Sequence, residues 1–254
     1  MPPNETPPPD ETDFGYRRVP RQDHPALVRG VFDSVATRYD LMNDLMSGGL
    51  HRLWKAALLD WLAPRPSMRL LDVAGGTGDV ATGFLARVKG AGEAVICDAN
   101  ARMLQVGADR AIDRGQLHGI ARVCADAAAL PLPDRTFDAV TIAFGLRNVT
   151  RRAEALSEMH RVLKPGGRLL CLEFSRLRIA GLRPLYDLYS HRVLPAMGRI
   201  VAGDAESYRY LAESIRRFPD QDALAAEIAA AGFDRVRWRD LSGGVVALHS
   251  GWRL

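Results

Sequence analysis

Short apolar runs alternate with stretches of helical spacing along most of this chain, and that alternation predicts its architecture. The runs Arg69–Val73, Ala94–Asp98, Ala121–Asp126, Phe137–Phe144 and Arg168–Phe174 have the length of buried strands and end in turn residues. Helical patterns lie between them, from Asp79 to Val88, from about Ala101, and from Arg151 to Leu163. The last stops at Lys164-Pro165-Gly166-Gly167, chemistry suited to a helix C-terminus. A further helix from about Asp220 to Ala231 precedes two terminal strands, Val236–Leu241 and Gly244–His249. Strands separated by helices require crossover connections, so the expected fold is α/β, with a doubly wound, mainly parallel sheet of seven strands.

Two regions depart from this rhythm. Residues 14–66 read as a helical prelude, with stripes Leu27, Val31, Val35, Tyr39 and Leu50, Leu53, Trp54, Ala57, Leu58, Trp61, closed by Pro64 and Pro66. Such a prelude can act as a lid. Residues 176–217 read as a helical insert carrying Leu182, Leu185, Leu188, Tyr189 and Met197, which suit either a passage for a lipid tail or an ordinary cover helix. Residues 1–13 hold too few apolar groups to offset chain entropy and are expected to be a disordered tail. Residues 14–254 are then one domain.

Composition narrows the class. A net charge of +4 in 254 residues, with no dense Lys/Arg block, argues against a nucleic-acid binder. No stretch approaches the roughly 20 apolar residues needed to span a bilayer, and the N-terminal residues lack a signal-peptide core. The expected location is the cytoplasm, or the inner face of a membrane as a peripheral protein. Cys97, Cys124 and Cys171 form no paired motif, so a disulfide framework is not expected, each cysteine reads as a small core residue, and no metal site is expected.

The chemistry concentrates at the ends of the predicted strands. Gly76, Gly78 and Ala81 fit G-x-G-x-x-A between a strand and a helix, where the backbone approaches a ligand closely. Asp98 ends the second strand, about twenty residues on, where a carboxylate accepts from ribose hydroxyls. A nicotinamide enzyme shares both features. Asp72 before the glycines, Asp126-Ala127 after the third strand and the segment Met159–Arg168 favour S-adenosylmethionine. In this order they resemble the motifs of class I, Rossmann-like methyltransferases.

Several segments are similar to a narrower family, the ubiquinone/menaquinone biosynthesis C-methyltransferases. They include Phe32–Ser47, His51–Lys55, Leu71–Asp79, Phe144-Gly145-Leu146-Arg147-Asn148-Val149, Asp204–Ile215 and Gly244–His249. The resemblance implies methyl transfer from S-adenosylmethionine to a ring carbon of a polyprenylated quinol, either demethylmenaquinol or 2-methoxy-6-polyprenyl-1,4-benzoquinol. It implies cofactor contacts at Thr77, Asp98, Asp126 and Ala127, and the loop pattern adds Asp72, Gly76 and Gly78. Ala143 stands where relatives often carry Ser. Arg147 and Asn148 are expected to stabilise the developing phenolate and orient the ring oxygen, with Tyr39 a further catalytic candidate and Asn43 behind it. Arg147 and Asn148 could instead form a loop ion pair and a turn. His51 and His160 read as structural. Expected partners are the polyprenylated quinol, a second copy of the chain, and a membrane surface or a quinone-biosynthesis complex. Another phenolic or lipid acceptor, a nicotinamide oxidoreductase and a non-catalytic scaffold remain as alternatives.

Overall fold

The structure is a computed structural model that describes residues 10–36, 43–44, 47–116, 118–177 and 205–254. Most of the expected insert, residues 178–204, and Tyr39 lie outside the described residues. The main sheet contains β3 (Arg69–Val73), β4 (Glu93–Asp98), β5 (Ile120–Cys124), β6 (Phe137–Ala143), β7 (Leu163–Phe174), β8 (Asp234–Leu241) and β9 (Val246–Trp252). Their order is β5-β4-β3-β6-β7-β9-β8. The first five run parallel, whereas β9 pairs antiparallel with both β7 and β8. This is the expected seven-stranded doubly wound sheet. The order reverses beside β3, leaving a crevice at the carboxyl ends of β3 and β6.

Helices cover both faces because alternate strand residues are apolar on both. Leu70, Leu170, Leu172 and Leu248 pack against α2 (His51–Leu62) and α3 (Asp79–Arg87) through Trp54, Leu58, Val80 and Phe84. Leu71, Val140, Leu169 and Cys171 pack against α5 (Arg152–Val162) and α7 (Gln221–Ala230) through Leu156, Met159, Leu224 and Ile228. In α2 the buried face is Trp54, Leu58, Leu59 and Leu62, while Leu53, assigned to the apolar stripe by spacing, is 66% exposed. Strand β7 begins at Leu163, earlier than the glycines suggest, and an irregularity in its pairing with β6 absorbs the Pro-Gly-Gly segment.

A third, smaller core joins the chain ends of the cover. Strands β1 (Glu11–Phe14) and β2 (Arg17–Pro20) form an antiparallel hairpin. It begins within the stretch read as a tail. The hairpin is followed by α1 (His24–Val35), and both lean on α6 (Ala205–Arg217). Phe14 and Val31 are buried there with Tyr208, Tyr210 and Leu211. Composition concealed this hairpin because its stability comes from contacts with residues about two hundred positions away.

Helix α4 (Ala101–Asp113) sets the height of the glycine loop. A Cβ on Gly107 would lie 2.7 Å from the Thr77 carbonyl oxygen and 2.9 Å from its carbonyl carbon. Alanine gains about 1 kcal/mol of helix propensity over glycine, but overpacking costs about 1–3 kcal/mol. The clash is with backbone, so it should win. Gly107→Ala is expected to lower stability by about 1 kcal/mol in urea unfolding; a gain would show that the loop yields freely.

Candidate active site

The carboxyl ends of β3, β4, β5 and β6 bring the predicted chemistry to one cavity of about 340 Å3. Gly76, Asp98, Asp126, Ala127 and Asn148 line it, with Phe144 and Gly145 after β6 and Cys97 and Cys124 from the sheet edge. Helix α1 covers it with Pro25, Val28, Arg29 and Phe32. These α1 residues were missed by sequence reasoning as wall residues, although Phe32 opens one of the family-like segments. Cys124 is exposed rather than a core residue; Cys97 and Cys171 are buried as expected.

Asp98 organises the cavity. Its Oδ2 accepts from the Gly76 N–H at 2.9 Å and its Oδ1 from the Asn100 N–H at 2.8 Å. Burial raises its pKa, and these two hydrogen bonds oppose the shift. Asn100 in turn caps α4, accepting from the Met103 N–H at 3.0 Å, and its side-chain amide donates to Asp33 of α1 at 2.9 Å. Gly76 has φ +53°, and a Cβ there would approach the Met103 methyl to 3.2 Å. The glycine therefore keeps backbone, not side chain, against the cavity.

Asp126 sits at the cavity edge. Its Oδ1 accepts from the Ala128 N–H and its Oδ2 from Arg151, both at 2.9 Å. The remaining expected cofactor residues stand behind the wall rather than in it. Thr77 is buried and its backbone abuts α4. Gly78 starts α3 at φ 87°, where a Cβ would meet Ile96 at 2.6 Å. Ala143 packs into the apolar layer under α2 and α3.

Asp72 lies beneath the loop. Its Oδ1 accepts from the Thr141 hydroxyl at 2.7 Å. Its Oδ2 is buried without a partner, at 2.7 Å from where a Gly75 Cβ would be. The carboxylate lies against the glycine turn and is not among the groups that line the cavity.

The turn after β6 holds the predicted catalytic pair in different ways. Arg147 is 5% exposed and pairs with Glu173, itself 1% exposed, at 3.1 Å. Its Nη1 also donates to the Phe144 carbonyl at 2.5 Å, and its backbone N–H donates to Glu173 at 3.2 Å. The guanidinium lies 5.4 Å from the Phe174 ring centre. Arg147 does not line the cavity; the ion pair weighed against its catalytic role is present. Asn148 does line it, and its Oδ1 accepts from the Tyr210 hydroxyl at 3.1 Å. Glu173 and Tyr210 were not singled out from sequence. Tyr210 lies within the family-like segment Asp204–Ile215 but spacing gives it no role, and the partners of the two are 26 and 62 residues away.

Neither His51 nor His160 lines the cavity. His51 Nδ1 lies 3.0 Å from the Ser47 hydroxyl, and burial lowers its pKa. His160 edges onto the Phe233 ring, and burial lowers its pKa too. Asn43 is half-buried, and its carbonyl accepts from the Ser47 hydroxyl at 2.6 Å. Among the described residues no cluster of three or more His, Cys, Asp or Glu could hold a metal ion.

Burial pushes the Asp72 carboxyl up to about 7, against the opposing Thr141 hydrogen bond and Lys55 charge. The folded protein therefore keeps this proton between about pH 4 and 7, where the unfolded chain has lost it. The stability it contributes is fully present below about pH 4, falls by roughly 1 kcal/mol per pH unit, and is gone above about pH 7. Asp72→Asn should remove this slope. The difference between the two proteins in urea unfolding at about pH 5 and about pH 7 isolates it from other titrations; parallel pH profiles would show an ordinary carboxyl.

Comparison with known proteins agrees with this geometry. A ubiquinone/menaquinone biosynthesis C-methyltransferase from Paracoccus denitrificans is 57% identical over 97% of this chain and 98% of its own. One of the same name from Rhodopseudomonas palustris is 56% identical over 98% of this chain and 100% of its own. The crystal structure of a SAM dependent methyltransferase from Aquifex aeolicus shares the fold, with a TM-score of 0.62 at 18% identity over 85% of this chain and 98% of that one. The profile of the ubiE/COQ5 methyltransferase family matches residues 20–253, and the chain belongs to that family.

Proposed function

We propose that this chain transfers a methyl group from S-adenosylmethionine to a ring carbon of a polyprenylated quinol in ubiquinone or menaquinone biosynthesis. The acceptor is 2-methoxy-6-polyprenyl-1,4-benzoquinol, demethylmenaquinol or both. The observation that carries the cofactor assignment is Asp98. A carboxylate has about four acceptor positions. Two are taken by the Gly76 and Asn100 N–H groups, which leaves two for a pair of ribose hydroxyls. The glycine cradle beside it, which a Cβ at Gly76 would narrow against Met103, fits the same group.

When bound, S-adenosylmethionine supplies an electrophilic methyl group. The chain's own residues supply position and exclusion of water. Asp98 would hold the hydroxyls and Asp126, at the cavity edge, would accept from an exocyclic amine. Phe32, Val28 and Phe144 give the cavity an apolar wall, which strengthens every polar contact inside it. A quinol carbon becomes nucleophilic as the neighbouring phenol loses its proton. Asn148 is a polar group of the β6 turn that lines the cavity, and it would orient that ring oxygen. Arg147 acts through the turn, because its charge is already neutralised by Glu173. Tyr39, outside the described residues, stays a catalytic candidate on the resemblance alone.

Among the described residues no helix is long and apolar enough to cross a membrane. We place the protein in the cytoplasm with peripheral contact at the inner face of the membrane, where a polyprenyl substrate resides. Exposed Leu50 and Leu53 at the N-terminal end of α2 support this.

The test is methyl incorporation from labelled S-adenosylmethionine into chemically reduced short-chain forms of both quinols, in parallel. Label in one or both is expected; none in either, with cofactor bound, would overturn the reading. Asp98→Ala should weaken cofactor binding about 100-fold, two hydrogen bonds to a charged group being lost. Asn148→Ala should cut kcat about tenfold or more while cofactor affinity stays within about twofold.

A further inference from the structure

We infer that Tyr210 is a positioning residue for methyl transfer, its hydroxyl fixing the Asn148 amide so that the amide nitrogen faces the acceptor. The inference rests on the reading of Asn148 given above. An asparagine side chain can rotate its amide by half a turn and exchange oxygen for nitrogen at little cost. A catalytic donor must not do so. The Tyr210 hydroxyl donates to Asn148 Oδ1 at 3.1 Å, which fixes which end of the amide is which. The N–H pair is then presented on the other flank of a residue that lines the cavity.

The phenol is itself well held. Tyr210 is 4% exposed, and its ring stacks on Phe14 with centroids 4.2 Å apart and 19° between planes. Burial raises its pKa, with Arg147 lowering it and Glu173 raising it further. The hydroxyl therefore remains a donor throughout the pH range in which the enzyme would be assayed. Phe14 belongs to the β1–β2 hairpin and Tyr210 to α6, so the orientation of one amide in the cavity depends on the cover being docked.

Tyr210→Phe tests this, because it removes the hydroxyl and keeps the ring on Phe14. The expected result is a fall in kcat of about tenfold, with cofactor affinity and thermal midpoint near those of the parent. A residue that served packing alone would show no such split. In an Asn148→Ala background the same substitution should cost nothing further. Unchanged kcat in Y210F, with N148A impaired, would overturn the inference and leave the reading of Asn148 standing. An undiminished loss in the double variant would also overturn it. Wild-type turnover in N148A would remove the reading of Asn148 and this inference together. Asn148→Asp gives a check that does not depend on Y210F folding. It keeps an oxygen for Tyr210 but has no N–H pair, so it should be as slow as N148A, and wild-type turnover there would overturn the assignment.

Discussion

The two hydrogen bonds that Asp98 accepts from backbone, one from each neighbouring loop, govern the rest of the site. Without them the β3 loop and the β4 loop would be separate excursions at a sheet edge. With them, Gly76 is drawn towards β4, and Asn100 is set to cap α4 and to reach Asp33 of α1. The carboxylate stands in a partly desolvated place, which disfavours its charge, and the two N–H donors offset part of that cost. Its remaining lone pairs are under-used, and a ligand with two adjacent hydroxyls completes the set. Binding and local order are therefore the same interaction at this point in the fold.

The β6 turn is built on a different balance. Phe144 has φ 59°, a conformation that costs a bulky residue of order 1–3 kcal/mol. Its N–H donates to the Leu172 carbonyl at 2.8 Å and its carbonyl accepts from Arg147. Its ring lies 4.9 Å from Phe174. The turn is thus held open by an arginine whose charge Glu173 neutralises. Breaking a buried pair by removing one partner costs about 3–5 kcal/mol, so loss of activity on truncating Arg147 cannot by itself assign it to the chemistry. The pair fixes Asn148, the next residue, by fixing the turn that carries it.

The central sheet was legible because its signal is local. Five apolar runs separated by helical spacing admit few other arrangements, and the strands fall within a few residues of their expected bounds. Gly76, Asp98, Asp126 and Asn148 were legible for the same reason: each sits at a fixed offset from a strand end. Glu173 and Tyr210 were not, because their function comes from tertiary partners rather than from sequence spacing. Asp72 shows the opposite difficulty. Its position beside the glycines marks it as important, yet sequence cannot say whether the carboxylate points into the cavity or beneath the loop. Spacing likewise placed Leu53 in the core of α2, whereas the period-four set Trp54, Leu58 and Leu62 took that face.

Polar and aromatic contacts among the described residues, Ser34 with Ser207 and Arg217 with Asp13 among them, hold the cover over the cavity and bear on how a large acceptor enters. His24 meets the Thr150 hydroxyl at 2.7 Å, Asn100 meets Asp33 at 2.9 Å, and Phe14 stacks on Tyr210. Each polar contact contributes about 1 kcal/mol net, and the aromatic pair about as much beyond its buried area. Val31 adds apolar burial against α6. In the proposed function a prenylated ring has to pass these contacts, so the cover would open and close in each turnover. Closure restores the Phe14–Tyr210 stack, and with it the orientation of Asn148. On the proposal above, the amide would be set for chemistry when the cover excludes water and released from that constraint when the site is open to solvent.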